Sequence, residues 1–206
     1  MANIFVNNKN TESAPVTERS ILAAKYNRGV ANLLLVILFT VINVVLLVTN
    51  SNSYFLFSAF VPYLLADYGM YFTGLYPEEY YYDAGSAVFF DKSFLTVMLV
   101  IAGLILVLYL LSWLFARKQK IGWLIFATVL FAIDTAAMLI LLGISSDMIL
   151  DLVFHGWVIV SLIMSISAYF KMKKLPEEEV VVRAEAIQED SAEPEPAVTS
   201  EAQTEE

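Results

Sequence analysis

The sequence has no cysteine, a single histidine and few charged residues, and each shortage excludes a class of protein. Without cysteine there is no disulfide framework, no thiol nucleophile and no cysteine-ligated zinc or iron site. One histidine, His155, leaves no histidine-rich metal centre either. Charged residues make up 16% of the 206 positions and apolar residues 59%, whereas roughly a quarter of a soluble domain is charged. The composition therefore predicts an integral membrane protein.

The net charge of -9 is concentrated in one segment of the chain. From Leu175 to Glu206 there are eleven acids and one base, so this segment carries -10 and the remainder +1. It also contains prolines and no aromatic residue. Such a composition cannot bury enough apolar surface to offset the entropy lost on folding. We predict that residues 171–206 form a basic flank followed by a disordered acidic tail.

Four apolar runs are long enough to cross a bilayer, which takes about 20 helical residues. The predicted spans are residues 29–48, 94–115, 121–142 and 148–170. Residues 1–28 are predicted to be a cytoplasmic leader and an interfacial helix with Thr17 as its N-cap. The predicted connections are an extracytoplasmic aromatic and acidic segment (49–93), a basic cytoplasmic loop (116–120) and a short outer loop (143–147).

Basic residues set the predicted orientation, because Lys and Arg are retained on the cytoplasmic side. With four spans and both termini cytoplasmic, eleven of the twelve bases lie inside and only Lys92 lies outside. A fifth apolar segment, residues 53–75, is interrupted by a proline, an acid and a glycine. If it were a true span, the bases of residues 117–120 would lie outside, against the charge rule. We therefore predict an all-α, four-span protein of the cell membrane, in which this segment lies on the outer leaflet or re-enters it.

An acid, Asp134, stands in the middle of the apolar run "FAIDTAAMLI". It lies about 12 Å from the outer end of its span, while Asn43 and His155 each lie about 8 Å from the outer ends of theirs. Asp151 precedes His155 by one helical turn, on the same helical face. The sequence predicts one polar cluster in the outer half of the bilayer: Asn43, Asp134, Asp151 and His155.

Two roles are open for this cluster. Ionisable groups in lipid are costly and tend to be kept for use, which favours a proton or cation relay. The alternative is structural, with hydrogen bonds between helices that each contribute on the order of 0.5 to 2 kcal/mol. Pumps usually carry more than one deep acid and this sequence has one, so the structural role is favoured.

The extracytoplasmic segment is rich in tyrosine and in acids. Eight of the eleven tyrosines lie between Tyr54 and Tyr82. Aromatic rings and carboxylates together recognise sugars, cationic peptides or partner proteins, and the alternative is a plain interfacial aromatic belt. A divalent cation between Glu79 and Asp83 is disfavoured, because no ligand-rich loop surrounds them. The predicted recognition surface is Tyr76, Glu78, Glu79, Tyr80, Tyr81, Tyr82 and Asp83.

Small residues four positions apart predict close helix contacts in two spans. One pair is Ala132 with Ala136, and the other is Ser161 with Ser165. The sequence contains no motif of a serine hydrolase, a zinc protease or a nucleotide-binding enzyme. We therefore predict no catalytic residue, no metal, no cofactor and no nucleic-acid partner.

The stretches "YNRGVANLLLVILFTVINVVLLVTN", "YPEEYY" and "GWLIFATVLFAID" resemble uncharacterised bacterial four-helix membrane proteins. The resemblance covers most of residues 20–176 and implies no catalytic or binding residue. The sequence thus predicts a non-enzymatic interaction or accessory protein in the lipid bilayer, whose candidate partners are a membrane protein, a cell-surface component or a second copy of itself. The alternative is a small oligomeric transporter or channel-like protein that uses Asp134 and His155.

Overall fold

A computed structural model describes residues 17–51, 53–81, 89–143 and 148–176, and within these ranges the chain is helical and contains no strand. A short 3-10 helix spans Glu78–Tyr81. The four long helices that the sequence predicts are confirmed, since every α-helix except the second is long and apolar enough to cross a membrane. The α-helices are α1 (Glu18–Val48), α2 (Phe60–Phe72), α3 (Ser93–Arg117), α4 (Ile121–Leu142) and α5 (Ile149–Lys174).

The start of α1 joins two predicted elements into one. Its 31 residues contain both the predicted interfacial helix and the first span. Thr17 caps it as predicted, because its Oγ1 accepts the N–H of Ser20 at 3.1 Å. Most of the predicted leader, outer loop and acidic tail lies outside the described residues, at 1–16, 144–147 and 177–206.

The contact between α1 and α5 is close because both helices present small residues. A Cβ atom at Gly29 would lie 2.7 Å from Cβ of Ser165. Nδ2 of Asn32 donates to Oγ of Ser161 at 2.6 Å, and Oγ of Ser165 donates to the carbonyl of Lys25 at 3.1 Å. The predicted packing role of Ser161 and Ser165 is thereby confirmed.

The other small-residue pair makes no such contact. Ala132 and Ala136 are both exposed on the surface of α4 in the single chain. The buried face of α4 is instead marked by larger side chains, among them Leu124, Phe131 and Met138. The predicted packing role of this pair within the chain is wrong, because the buried face of α4 lies on the other side of the helix.

The helix α2 packs antiparallel to the first half of α3. Gly69 permits the close approach, since a Cβ atom there would lie 2.7 Å from the side chain of Leu95 and 3.3 Å from its Cα. After α2 the chain turns, and Phe90 donates its N–H to the carbonyl of Phe72 at 2.8 Å. The C-terminal end of α2 is therefore fixed beside the N-terminal end of α3, and its N-terminal end points into the helix bundle.

At the opposite end of the bundle, α1 is tied to the end of α3. Tyr26 is 1% exposed and donates its hydroxyl to the carbonyl of Ala116 at 2.7 Å. Ala116 lies in the last turn of α3, and its carbonyl also accepts the N–H of Gln119 at 2.8 Å. The predicted basic loop follows, and Arg117 lies over the ring of Trp113 at 4.9 Å. The short turn makes α3 and α4 antiparallel neighbours.

Candidate functional site

The N-terminus of α2 has no capping side chain of its own. The residue before the helix is Ala59, in extended conformation, and its methyl group cannot accept a hydrogen bond. The first four N–H groups of an α-helix lack an intrahelical partner, and leaving them unpaired away from water is costly. Ala59, Phe60 and Pro62 are all buried, so water does not supply these partners. The partners must come from elsewhere in the chain.

Asp134 of α4 supplies two of them. Its Oδ2 accepts the N–H of Phe60 and its Oδ1 accepts the N–H of Val61, each at 2.8 Å. Asp134 is 3% exposed, and both of its oxygens are directed at the helix end. A carboxylate at the positive end of a helix is favoured by the helix dipole as well as by the two hydrogen bonds. The acid in the middle of α4 therefore caps the N-terminus of α2, in place of a side chain at the N-cap position itself.

Thr40 of α1 supplies the third partner, and proline removes the need for a fourth. Oγ1 of Thr40 accepts the N–H of Ala59 at 2.7 Å and donates to the carbonyl of Val36 at 2.6 Å. Pro62, the remaining first-turn residue, has no N–H. Every unpaired backbone donor in the first turn of α2 is thus accounted for, by side chains from α1 and α4.

The segment that leads into α2 is held along α1 by Asn43. Its Oδ1 accepts the N–H of Phe55 at 2.8 Å, and its Nδ2 donates to the carbonyl of Phe55 at 2.6 Å. Asn43 lies one helical turn after Thr40, so the two side chains follow the incoming backbone along one face of α1. Asn43 does not hydrogen-bond to Asp134, which differs from the predicted cluster. Thr40 was identifiable only as a polar residue one turn from Asn43.

His155 lies beside Asp134 as the depth of the two residues predicts. Its Nε2 is 3.7 Å from Oδ2 of Asp134, which is ion-pair distance but too long for a hydrogen bond. Its Nδ1 is 2.9 Å from the carbonyl of Asp151, and because a carbonyl only accepts, Nδ1 carries a hydrogen. The ring stacks on Phe131 with centroids 5.0 Å apart. The imidazole is therefore held in place by α4 and α5 and faces the carboxylate.

Three buried polar atoms around this cluster have no hydrogen-bond partner in the described part of the chain. They are Nε2 of His155, Oδ1 of Asp151 and the hydroxyl of Tyr109. Asp151 meets His155 through its backbone carbonyl and not through its carboxylate. Tyr109 is fully buried in α3 and lies within electrostatic range of Asp134. The sequence gives no signal for Tyr109 beyond its being the one tyrosine in its span.

A cleft of about 720 Å³ opens between the end of α1, α2 and the 3-10 helix. From the predicted recognition surface, Tyr76, Glu79 and Tyr80 line it, and Glu78 and Tyr81 do not. Tyr82 and Asp83 lie outside the described residues. The aromatic and acidic side chains that line the cleft are Tyr54, Tyr63, Asp67, Tyr71, Tyr76, Glu79 and Tyr80.

The tyrosines of the cleft are ordered by contacts with one another and with Asp67. The hydroxyl of Tyr76 donates to Oδ1 of Asp67 at 2.5 Å, and its ring stacks on Tyr80 with centroids 5.0 Å apart. Tyr54 and Tyr63 meet edge to face at 5.3 Å. Burial, and then the hydrogen bond to Asp67, raise the pKa of Tyr76. The hydroxyl of Tyr76 therefore remains a donor, and the carboxylate of Asp67 is held in a fixed position.

Tyr81 does not line the cleft, but it supports two residues that do. Its hydroxyl donates to the carbonyl of Tyr71 at 3.1 Å and accepts the N–H of Tyr76 at 3.2 Å. Its ring also contacts Phe89 at 5.0 Å. Tyr81 therefore connects the 3-10 helix to α2, which fixes the two sides of the cleft relative to each other.

Tyr54 connects the cleft to the polar cluster beneath it. Its ring lines the cleft, and its hydroxyl lies 3.0 Å from Oγ of Ser58, which is fully buried. Burial raises the pKa of Tyr54 to about 12, with smaller increases from Asp151 and Asp134, while the hydrogen bond with Ser58 opposes the rise. The exposed fraction of Tyr54 is 43%, but the hydroxyl is at its buried end.

Tyr54 is expected to keep its proton up to about pH 12. The pKa of Tyr54 in the folded protein is above its ordinary value of 10.0, so the stability that the buried neutral hydroxyl contributes is fully present below pH 10.0 and is lost as the pH rises through about 12. Tyrosinate absorbance, titrated for the wild type and for Tyr54→Phe, isolates this residue in the difference curve. A midpoint near pH 12 is expected, and a midpoint near pH 10 would show that the hydroxyl is solvated.

Neither a metal centre nor a known relative identifies the site. No group of three or more His, Asp or Glu side chains suited to a metal ion occurs in the described ranges. No family model, curated protein or solved structure matches the chain. The resemblance to bacterial four-helix membrane proteins therefore stays a prediction.

Proposed function

We propose that the protein is a multi-pass protein of the cell membrane that acts by recognition and not by catalysis, with the cleft as its binding site. The observation that carries this proposal is the concave surface in which tyrosines surround Asp67. Binding sites are typically concave, mostly apolar or aromatic, and contain a few fixed polar groups. The proposed partner is a membrane protein or a cell-surface component that presents a group to this cleft.

The proposed topology places both termini in the cytoplasm and the cleft outside. It is supported by the bases in the last turns of α3 and α5, which lie at the opposite end of the bundle from the cleft. Thr40 lies eight residues before the end of α1, and Asp134 lies eight residues before the end of α4. Because both side chains bind the start of α2, that start lies about 12 Å below the outer ends of the two helices. The 13 residues of α2 then extend back over about 20 Å. We infer that α2 is a re-entrant helix.

In this proposal the polar cluster has a structural role that serves the cleft. Irregular backbone at membrane depth is tolerated where the protein itself satisfies its polar groups. Asp134, Thr40 and Asn43 do this for the segment that enters α2. Tyr63 and Asp67 lie one and two turns after the capped end of α2. The cap therefore fixes the helix that carries the central acid of the cleft.

A photoreactive residue at position 80 tests this proposal in intact membranes. Tyr80 lines the cleft and is 56% exposed, whereas Tyr68 is 42% exposed on α2 and does not line it. A partner is expected to crosslink from position 80 and not from position 68. Glu79→Gln should reduce the yield. Equal products from both positions, or none from either, would contradict recognition at the cleft.

A second candidate function is a small oligomeric transporter or channel-like protein that uses Asp134 and His155. The observation that favours it is the group of unpartnered polar atoms beside the 3.7 Å pair, with Tyr54 between them and the cleft. Against it, both oxygens of Asp134 are occupied by backbone N–H groups. Half-helix ends at membrane depth bind substrates in transporters, but here the chain's own acid fills that position.

Proton flux into proteoliposomes separates the two candidates. Recognition without transport predicts the same background flux for the wild type, Asp134→Asn and His155→Gln. Flux above background in the wild type that falls in His155→Gln would support the transporter, and it would do so even if Asp134→Asn folds poorly.

A further inference from the structure

The cleft carries acids and no bases. Asp67 and Glu79 line it, and no Lys or Arg is among its described lining residues. The carboxylate of Asp67 accepts one hydrogen bond from Tyr76, and no other hydrogen bond to it occurs within the described chain. An anionic ligand would be repelled. A cationic ligand would be attracted, because no basic side chain among the described lining residues already pairs with these acids.

Three tyrosines surround the carboxylate of Asp67. The hydroxyl of Tyr76 donates a hydrogen bond to it, and the hydroxyl of Tyr63 lies close enough to feel its charge. Tyr80 lies close enough to interact electrostatically with both Tyr63 and Tyr76. The face of an aromatic ring carries negative potential, and since Tyr76 and Tyr80 stack on each other, each has at most one face left for a cation. A cation beside Asp67 is therefore attracted by the rings as well as by the carboxylate. This is the arrangement that binds an ammonium group with several carbon substituents, because such a cation is weakly hydrated and contacts rings readily.

Other ligand classes fit these residues less well. Calcium and magnesium ions take six or more oxygen ligands, and the described residues contain no group of acids and histidine suited to a metal. A neutral sugar can donate hydroxyl groups to Asp67 and Glu79, but it lacks the positive charge that pairs with these carboxylates and with the ring faces. The volume of about 720 Å³ lies within the range of small-molecule sites, roughly 300 to 1,000 Å³.

We infer that the cleft binds an organic ammonium group, held by the rings of Tyr63, Tyr76 and Tyr80 and by the carboxylate of Asp67. The inference rests on the proposed function, since it names the chemical group that the cleft recognises. The rings supply cation–π attraction, Asp67 supplies the opposite charge, and the Tyr76 hydroxyl keeps the carboxylate oriented. Glu79 contributes charge at the exposed rim.

Choline is the probe that tests the charge requirement. The full-length protein is placed in phosphatidylglycerol nanodiscs, and choline binding is measured by calorimetry. The matched control ligand is the neutral analogue of choline in which carbon replaces the nitrogen. Choline is expected to bind and the neutral analogue to bind at least about tenfold more weakly, as the loss of a partly desolvated cation–π contact predicts. No binding of choline, or equal binding of both ligands, would overturn the inference.

Two variants and two matched controls locate the site. Asp67→Asn and Tyr80→Ala are each expected to weaken choline binding by about tenfold. Asp91→Asn and Tyr68→Ala remove an exposed acid and an exposed ring that do not line the cleft, and should bind choline as the wild type does. Circular dichroism confirms that each variant is folded. Unchanged binding in a folded Asp67→Asn would overturn the inference.

The lipid composition of the nanodiscs distinguishes two sources of the same group. Two nanodisc preparations contain the same fraction of phosphatidylglycerol, and therefore the same surface charge, and differ only in whether the remaining lipid is phosphatidylcholine or an uncharged glycolipid. If the ammonium group of a lipid headgroup occupies the cleft, the apparent affinity for choline is lower in the phosphatidylcholine preparation. If the natural ligand is soluble, the affinity does not change.

The outcome of the choline experiment is also separable from that of the crosslinking experiment. A partner crosslinked at position 80 without choline binding removes the ammonium inference alone, and choline binding without a partner removes the macromolecular interaction alone.

Discussion

Replacing Asp134 by alanine is expected to destabilise the protein by about 3 to 5 kcal/mol and to release the start of α2. The substitution leaves the buried N–H groups of Phe60 and Val61 without acceptors, each at a cost of about 1 to 3 kcal/mol. It also leaves His155 without the carboxylate that faces it. Thermal unfolding in detergent measures the loss of stability, and hydrogen exchange at residues 60 and 61 locates it.

Two further variants make this prediction specific. Asp134→Asn keeps one acceptor oxygen and should lose about half as much stability as the alanine variant. Asp91→Ala removes an exposed acid that accepts the N–H of Ser93 at the start of α3, where water can replace it. That variant should lose much less stability than Asp134→Ala. If Asp134→Ala and Asp91→Ala lose the same small amount, Asp134 does not cap a buried helix end.

Replacing Gly29 by alanine is expected to cost about 3 kcal/mol, the second large effect. A Cβ atom there would lie 1.9 Å from Oγ of Ser165, 2.7 Å from its Cβ and 3.0 Å from the carbonyl of Ser161. The hydroxyl can rotate away, but Cβ and the carbonyl cannot, so α1 and α5 must separate. Separation also breaks the hydrogen bond between Asn32 and Ser161. Thermal unfolding of the purified variant measures the loss.

A second glycine and a compensating change provide the controls for Gly29. Nothing lies within 4 Å of a Cβ atom built at Gly103, so Gly103→Ala should be neutral or slightly stabilising. Adding Ser165→Gly to Gly29→Ala returns the missing space and should restore at least about 1 kcal/mol. An equal loss in both alanine variants, with no rescue by Ser165→Gly, would mean that the helices are not in the contact described.

Counting residues along helices predicts the level of a side chain but not its partner. The rise of a helix is constant, so the sequence places Asp134 and His155 at one depth, and the structure has them 3.7 Å apart. The main partner of Asp134 is the backbone of Phe60, which is 74 residues away in the sequence. The position of Phe60 depends on how the segment before α2 packs along α1, and no local sequence pattern encodes the course of that segment.

Pro62 is read differently from the sequence and from the structure. In the sequence it interrupts an apolar run, which argues against a fifth span. In the structure it lies in the first turn of α2, where its missing N–H leaves no donor unpaired. The same residue thus marks the start of a helix, but the cap that would identify this start is not adjacent. It comes from Thr40 and Asp134.

The cleft was partly predictable, because its residues come from two stretches of sequence. Tyr76, Glu79 and Tyr80 belong to the tyrosine-rich stretch that predicts a recognition surface. Tyr63 and Asp67 come from α2 and join them only through the turn after that helix. The interrupted apolar run that contains α2 predicts a segment on or in the outer leaflet, and does not indicate which residues Tyr63 and Asp67 meet.

The central claim is that α2 re-enters the membrane from outside and carries a cleft that faces outward. Because the chain has no cysteine, a single introduced cysteine is a unique label. A membrane-impermeant maleimide applied to intact cells should label Glu79→Cys at once, and should label Lys118→Cys, in the turn after α3, only after permeabilisation. Labelling of Glu79→Cys only after permeabilisation would contradict the account, because the cleft would then face the cytoplasm or α2 would cross the membrane.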